Sequence, residues 1–301
     1  MKIKYYPGCT MKATHSNGKG FEASALASAE VLGLELVEME DWYCCGTVYA
    51  MESEDMMNQL GSLRSLLEVQ KAGDDKVVTM CSMCWHTLKL ANHKVQSDPD
   101  KLETLNKFLD DEPDYRPEVE VYQLMELIRD EVGLDKLRKL VKNPLTGLKV
   151  APYYGCVLTR PEEIAIDTPE YPTIMQEVMQ ALGATIVENP HMVECCGSYH
   201  TVGAKEIVAE RTYTITMDSK ANEAEIMVLS CPLCQYNLDS RQKETRKLYS
   251  SYPGMPVLYF TQLLALALGL DPKVCLFENH EVDPTQLLVE KGIIKTPLAT
   301  H

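Results

Sequence analysis

The order of the cysteines constrains this chain more than any other feature. Ten of its eleven cysteines fall into three elements that occur twice in the same order. The first set is Tyr5-Tyr6-Pro7-Gly8-Cys9, Cys44-Cys45-Gly46 and Cys81-Ser82-Met83-Cys84. The second is Tyr153-Tyr154-Gly155-Cys156, Cys195-Cys196-Gly197 and Cys231-Pro232-Leu233-Cys234. Cys9 precedes Cys156 by 147 residues, Cys44 precedes Cys195 by 151 and Cys81 precedes Cys231 by 150, so insertions between the elements are small. The surroundings repeat as well: Leu34 to Glu38 matches Ala184 to Glu188, Lys76 to Met80 matches Glu225 to Ser230, and Gln123-Leu124-Met125 matches Gln262-Leu263-Leu264. Self-similarity over this length marks a duplicated domain. The halves meet near Asn143 to Leu148, which sets a first cysteine-rich module at 1–146 and a second at 147–301.

Each half alternates short apolar runs with stretches of helical spacing. Lys2 to Tyr6, Leu34 to Glu38 and Lys76 to Met80 read as buried strands, as do Lys149 to Tyr154, Ala184 to Glu188 and Ile226 to Ser230. Phe21, Ala25, Ala29 and Leu32 form one helical stripe and Ile174, Val178, Ala181 and Leu182 another, with Gly33 and Gly183 as stops. Alternating strands and helices predict an α/β fold of two tandem Rossmann-like modules, each with a parallel sheet. Ligands of such sheets gather beyond the carboxyl ends of the strands, which is where all three cysteine elements fall. Ser97 to Glu120 is rich in Asp, Glu and Pro and reads as a solvated connection with a short helix around Leu102 to Leu109.

The chain carries a net charge of −15, which opposes a general affinity for nucleic acid or anionic lipid. The first residues have no apolar signal region, and Leu263 to Leu268 is too short to span a bilayer, so a cytoplasmic protein is expected. Structural disulfides are disfavoured there, and an odd number of cysteines cannot all pair. Vicinal bridges at Cys44-Cys45 and Cys195-Cys196 would also strain disulfide geometry. Zinc is a second alternative, but a structural zinc site closes with four ligands, whereas each half supplies five sulfurs. An iron–sulfur cluster accommodates adjacent cysteines, because neighbouring sulfurs can bind different irons. Ordinary cubanes take four cysteines, so a fifth thiolate implies an unusual cluster with an iron open to substrate. Gly46 and Gly197 suit a sharp turn or a close backbone approach, and helix-start amides after Cys81 and Cys231 can stabilise thiolate charge. Cys275 has no counterpart and reads as buried and inert.

The paired Cys…Cys-Cys-Gly…Cys-x-x-Cys pattern resembles the B subunit of heterodisulfide reductase over nearly the whole chain. The resemblance implies two noncubane [4Fe-4S] clusters, one held by Cys9, Cys44, Cys45, Cys81 and Cys84 and one by Cys156, Cys195, Cys196, Cys231 and Cys234. It implies a catalytic subunit that reduces a disulfide held between the clusters to two thiols, in the family the mixed disulfide of coenzyme M and coenzyme B. Its partners would be a ferredoxin-like iron–sulfur C subunit and a flavin-containing A subunit, in methanogens or in bifurcating complexes of other anaerobes. Methanogen members often carry proline after the first cysteine pair and a glycine-rich run after the second. Here Gly46-Thr47-Val48-Tyr49 and Gly197-Ser198-Tyr199-His200 stand there, which leaves the identity of the disulfide open. An alternative is an electron-transfer subunit that relays electrons without cleaving a disulfide, as in related modules linked to fumarate, succinate or aromatic-acyl enzymes. A third is a zinc-stabilised assembly protein.

Among polar residues near the motifs, His200 is the candidate proton donor to a departing thiolate, ahead of His15 and His86. Lys12, Arg160, Lys205 and Arg211 are candidates for anionic groups of a coenzyme, although solvated surface charge is the preferred reading of each. Tyr5, Tyr6, Tyr153 and Tyr154 read as strand packing. Trp85 and Tyr236 follow the Cys-x-x-Cys elements and either shield a cluster or pack in the core.

Overall fold

A computed structural model of the chain describes residues 1–14, 16–47, 56–109 and 111–295. His15, Val48 and Tyr49, named above, lie outside the described residues. Among the described residues, eight short strands form two sheets. The first contains β1 (Lys2–Tyr5), β2 (Glu35–Glu38), β3 (Lys76–Thr79) and β4 (Glu120–Gln123), in the order β2-β1-β3-β4. The second contains β5 (Lys149–Pro152), β6 (Thr185–Ile186), β7 (Ile226–Leu229) and β8 (Val257–Tyr259), in the order β6-β5-β7-β8. Every pairing is parallel. The inner strand β7 is apolar throughout because both of its faces are covered, and all four of its residues are buried. The edge strand β2 keeps Glu35 and Glu38 exposed, which discourages pairing with a further strand.

The α/β class, the parallel sheets and the six expected strands are all present. Two strands, β4 and β8, go beyond the expectation, since their runs are brief and follow polar or proline-containing loops. They also correct one detail of the repeat. Thr79 pairs with Gln123 and Leu229 with Tyr259, so Tyr259 rather than Gln262 is the counterpart of Gln123. Glu126 and Gln262 are then equivalent, and each accepts the amide of the residue three before it, at 2.7 and 2.9 Å. A chance likeness between two Gln-Leu pairs shifts the sequence match by three residues.

The principal helices are α1 (Gly18–Leu32), α2 (Leu60–Lys71), α3 (Ser82–Ser97), α4 (Pro99–Phe108), α5 (Ile174–Ala181), α6 (Lys205–Ala221) and α7 (Phe260–Ala267). The stripe of Phe21, Ala25, Ala29 and Leu32 is buried along α1, and that of Ile174, Val178 and Ala181 along α5. Gly33 ends α1 in the left-handed region, where it costs no Cβ clash. The helix in the acidic connection, α4, begins three residues earlier than expected because Asp98 caps it, accepting the amides of Asp100 and Lys101.

The halves share one continuous apolar core. Helix α1 of the first half lies on α7 of the second. Phe21 stacks on Tyr259 at 4.1 Å and meets Phe260 edge-on at 6.1 Å, while the hydroxyls of Ser24 and Thr261 are 2.8 Å apart. Asn17 donates to Gln235 and Ser240 across the same boundary.

Candidate metal centres

All three cysteine elements of each half lie just beyond the carboxyl ends of their strands. Cys9 follows β1, Cys44 and Cys45 follow β2, and Cys81 ends the turn from β3 into α3. Cys156, Cys195, Cys196 and Cys231 hold the equivalent places in the second half. Two repeated devices fix the loops. Tyr6 Oη donates to the carbonyl of Tyr43, the residue before Cys44, and Tyr153 Oη donates to the carbonyl of Glu194, the residue before Cys195, each at 2.6 Å. These tyrosines therefore pin the Cys-Cys-Gly loops, a duty beyond strand packing. Gly8 and Gly155 have φ of +73° and +67°, and a Cβ on them would lie 2.8 Å from Cys84 Sγ and 3.2 Å from Cys234 Sγ. Only glycine brings the backbone that close to sulfur without strain.

The sulfurs converge as two groups whose members act on one another's ionisation. In the first half Cys44 acts on Cys45, Cys45 and Cys81 act on Cys84, and Cys9 acts on Cys44 through charge. In the second, Cys156 acts on Cys195, Cys195 on Cys196, Cys196 on Cys234 and Cys234 on Cys231. All ten are free thiols. Cys45, Cys81, Cys84, Cys196, Cys231 and Cys234 are buried, whereas Cys9, Cys44 and Cys195 are exposed and Cys156 is half-buried, so each nest opens on one side. Among the described residues no three His, Cys, Asp or Glu side chains enclose a single ion position.

The electrostatics of the nests bear on what they can hold. Hydrogen bonds from Cys44 and Cys84 pull the Cys45 thiol down to about 2, and those from Cys156 and Cys196 do the same for Cys195. Cys231 is lowered by Cys234 and by the amides of Cys234 and Leu233, as expected of a helix start. Bonds to these sulfurs, together with burial, push Cys44, Cys84, Cys156 and Cys234 up. The five sulfurs of a nest thus cannot ionise together unless positive charge enters it. A metal core supplies that charge, so the donor set fits a thiolate-bound cluster. Further donors stand ready that sequence reading missed. Gly197 N lies 3.3 Å from Cys195 Sγ, Asn237 Nδ2 lies 3.6 Å from Cys196 Sγ, and Thr47 Oγ1 lies 3.4 Å from Cys45 Sγ. No spacing rule marks Asn237; helical geometry alone turns it back towards Cys196.

The nests adjoin. Ser82 N donates to the Ser230 carbonyl at 3.0 Å and their hydroxyls are 2.8 Å apart, joining the residue after Cys81 to the residue before Cys231.

Other candidates sort by their partners. His200 ends an exposed turn, Ser198–His200, beside Cys196 and Gly197. His86 is buried, with Nδ1 2.9 Å from the Val157 carbonyl and its basicity lowered by burial, so it joins the halves. Lys12 binds Glu22 and Glu38 at 2.7 Å each, and Arg211 binds Glu194 at 2.6 Å, so both cations already face carboxylates. Arg160 donates to the Val193 carbonyl, and Lys205 opens α6. Trp85 packs in the core and donates to Glu126 at 2.8 Å, while Tyr236 is exposed beneath Arg241. Tyr5 is buried against Glu22, and Tyr154 bonds with Gln176. Cys275 is buried, its thiol pushed up to about 12 by desolvation.

Fold and site together define a duplicated α/β protein with a five-thiol nest at the strand tips of each half. The chain belongs to the cysteine-rich CCG domain family, whose profile matches residues 3–89 and 150–239, one copy over each nest. It is 32% identical over 288 residues to the 8-methylmenaquinol:fumarate reductase membrane anchor subunit of Wolinella succinogenes, covering 95% of this chain and 99% of that protein. It is 26% identical to the B subunit of the ferredoxin/F(420)H(2)-dependent CoB-CoM heterodisulfide reductase of Methanosarcina acetivorans, covering 96% of each chain. It is 28% identical to a heterodisulfide reductase B-subunit-like protein of Archaeoglobus profundus, covering 93% of this chain and 97% of that one. Among solved structures, a hypothetical protein from Helicobacter pylori shares the fold with a TM-score of 0.65 at 12% identity, over 92% of this chain and 51% of that one. Among the described residues no helix is long and apolar enough to cross a membrane.

Proposed function

We propose that the chain is the catalytic subunit of a heterodisulfide reductase-type complex, cleaving a small-molecule disulfide to two thiols at two noncubane [4Fe-4S] clusters. The carrying observation is the pair of five-sulfur nests, adjoining across the Ser82–Ser230 bond, each with exposed as well as buried sulfurs. Cys9, Cys44, Cys45, Cys81 and Cys84 would hold one cluster, and Cys156, Cys195, Cys196, Cys231 and Cys234 the other. When bound, the clusters supply single electrons and iron open to sulfur. The chain's own part is to keep water from the buried sulfurs, to hold the Cys-Cys-Gly loops through Tyr6 and Tyr153, and to deliver a proton to each departing thiolate. We assign proton delivery to the exposed His200. His200→Gln should lower kcat several-fold and flatten its pH profile while leaving iron content unchanged; an unaltered profile removes the assignment. Electrons would arrive from an iron–sulfur C subunit and a flavin-containing A subunit in the cytoplasm. The modules 1–146 and 147–301 would each carry one cluster.

The decisive test is anaerobic purification followed by metal analysis and spectroscopy with disulfides added. About four irons and four sulfides per half are expected, with a paramagnetic signal that changes on adding the substrate disulfide. Zinc without sulfide overturns the reading. A second reading is favoured by the 32% identity to a component of a fumarate reductase: a loaded protein whose signal ignores every disulfide is an electron conduit to another subunit.

A further inference from the structure

Tyr259 ends β8 and is wholly buried. Its pairing with Leu229 sets it beside Ser230 and Cys231, and Phe21 of the other half covers its ring. It therefore stands at the seam between the nests. Among the described residues its hydroxyl has no hydrogen-bond partner. Other buried tyrosines are spent: Tyr6 on Tyr43, Tyr115 on Asn92, Tyr153 on Glu194 and Tyr252 on Gln242. An orphaned phenol in a core is costly, and phenylalanine would fill the same space and keep the stack on Phe21. Nor does the duplication require tyrosine here. The counterpart Gln123 uses its side chain locally, accepting from Met125 N and donating to the Met80 carbonyl. What the hydroxyl lacks is an acceptor within reach, and a metal-bound thiolate is the strongest one that the adjoining Ser230-Cys231 segment could bring to it.

We infer that Tyr259 is a positioning residue whose hydroxyl donates a hydrogen bond to the Cys231 thiolate of the loaded second nest, at the seam where the two centres meet. The inference rests on the reading that the nests hold clusters. Such a bond withdraws charge from sulfur and favours the reduced cluster, so it raises the potential of the second centre.

The test is an anaerobic redox titration of the full chain, followed by electron paramagnetic resonance, in three forms. Tyr259→Phe should keep its iron and sulfide and shift one midpoint potential to a more negative value. Fluorotyrosine placed at position 259, a stronger donor, should shift the same midpoint the other way; packing changes would not produce opposite signs. Tyr115→Phe, which removes a bonded buried hydroxyl in the first half, should leave both midpoints in place. If Tyr259→Phe fails to load, the fluorotyrosine form alone decides. Loaded protein with unmoved midpoints in the forms that load overturns the role of Tyr259. Wild-type protein without iron or sulfide overturns the cluster reading instead, so the two failures are distinguishable.

Discussion

Gly8 and Tyr6 show how single residues shape a nest. The left-handed backbone at Gly8 turns the chain so that Cys9 and Cys84 can face a common centre, with no room for a Cβ beside Cys84 Sγ. Gly8→Ala combines a backbone penalty of roughly 1–2 kcal/mol with that clash. The expected result is loss of about half the iron, from the first nest only, with the second nest still loaded; full loading of the variant would contradict the packing. Tyr6→Phe deletes the bond to the Tyr43 carbonyl. A loss of about 1 kcal/mol in urea unfolding is expected, with faster release of iron to a chelator. Neither role is encoded by residue type alone. The paired tyrosines before the cysteines are visible in the sequence, but which hydroxyl reaches which carbonyl depends on the strands ending where they do.

At the scale of elements, the turn Tyr236–Ser240 carries Asp239 into the core, where its carboxylate accepts the amides of Glu281 and Val282 and the side-chain amide of Gln235. It thereby ties the segment after Cys234 to the later chain. Burial raises the Asp239 carboxyl to about 7, against roughly 3.9 unfolded. The folded state binds the extra proton between these values, so this group's penalty is absent below pH about 4 and grows to its full size, at most about 4 kcal/mol, above pH about 7. His280, 3.6 Å away, is lowered to about 4 by burial and opposes it: the folded state there binds fewer protons, and stability rises with pH until about 6.5. Glu281 also acts on Asp239 through charge and raises it further. Unfolding free energies measured from pH 4.5 to 8 should therefore rise more, or fall less, with pH in Asp239→Asn than in the wild type. Parallel curves would rule out the carboxyl as the source. The strands and helix stripes of both halves are legible in the sequence because apolar periodicity is local. This carboxylate pocket is not, since its acceptor and donors come from separated segments.

Across the whole molecule, the duplication is closed where helices and loops of the two halves pack on one another. Phe21 of α1 fills the space between Tyr259 and Phe260, while Ser82 and Ser230 bond across the seam. Phe21→Ala should cost about 3–5 kcal/mol and disturb both nests, because the cavity opens at their common boundary. Loss confined to one nest, seen by spectroscopy of each centre, would show that the halves stand independently. The sequence by itself determined the duplication, the α/β class, the place of ten cysteines at strand tips and the grouping of five per half, because these follow from spacing and from the parallel-sheet rule. Tertiary structure alone decided that Tyr259 rather than Gln262 answers Gln123, that the two nests adjoin through serines, and that a buried phenol is left without a partner between them. The reason is physical. Periodicity records which face of an element is apolar, whereas the meeting of two duplicated sheets depends on side chains hundreds of residues apart packing into one core, as Phe21 and Tyr259 do.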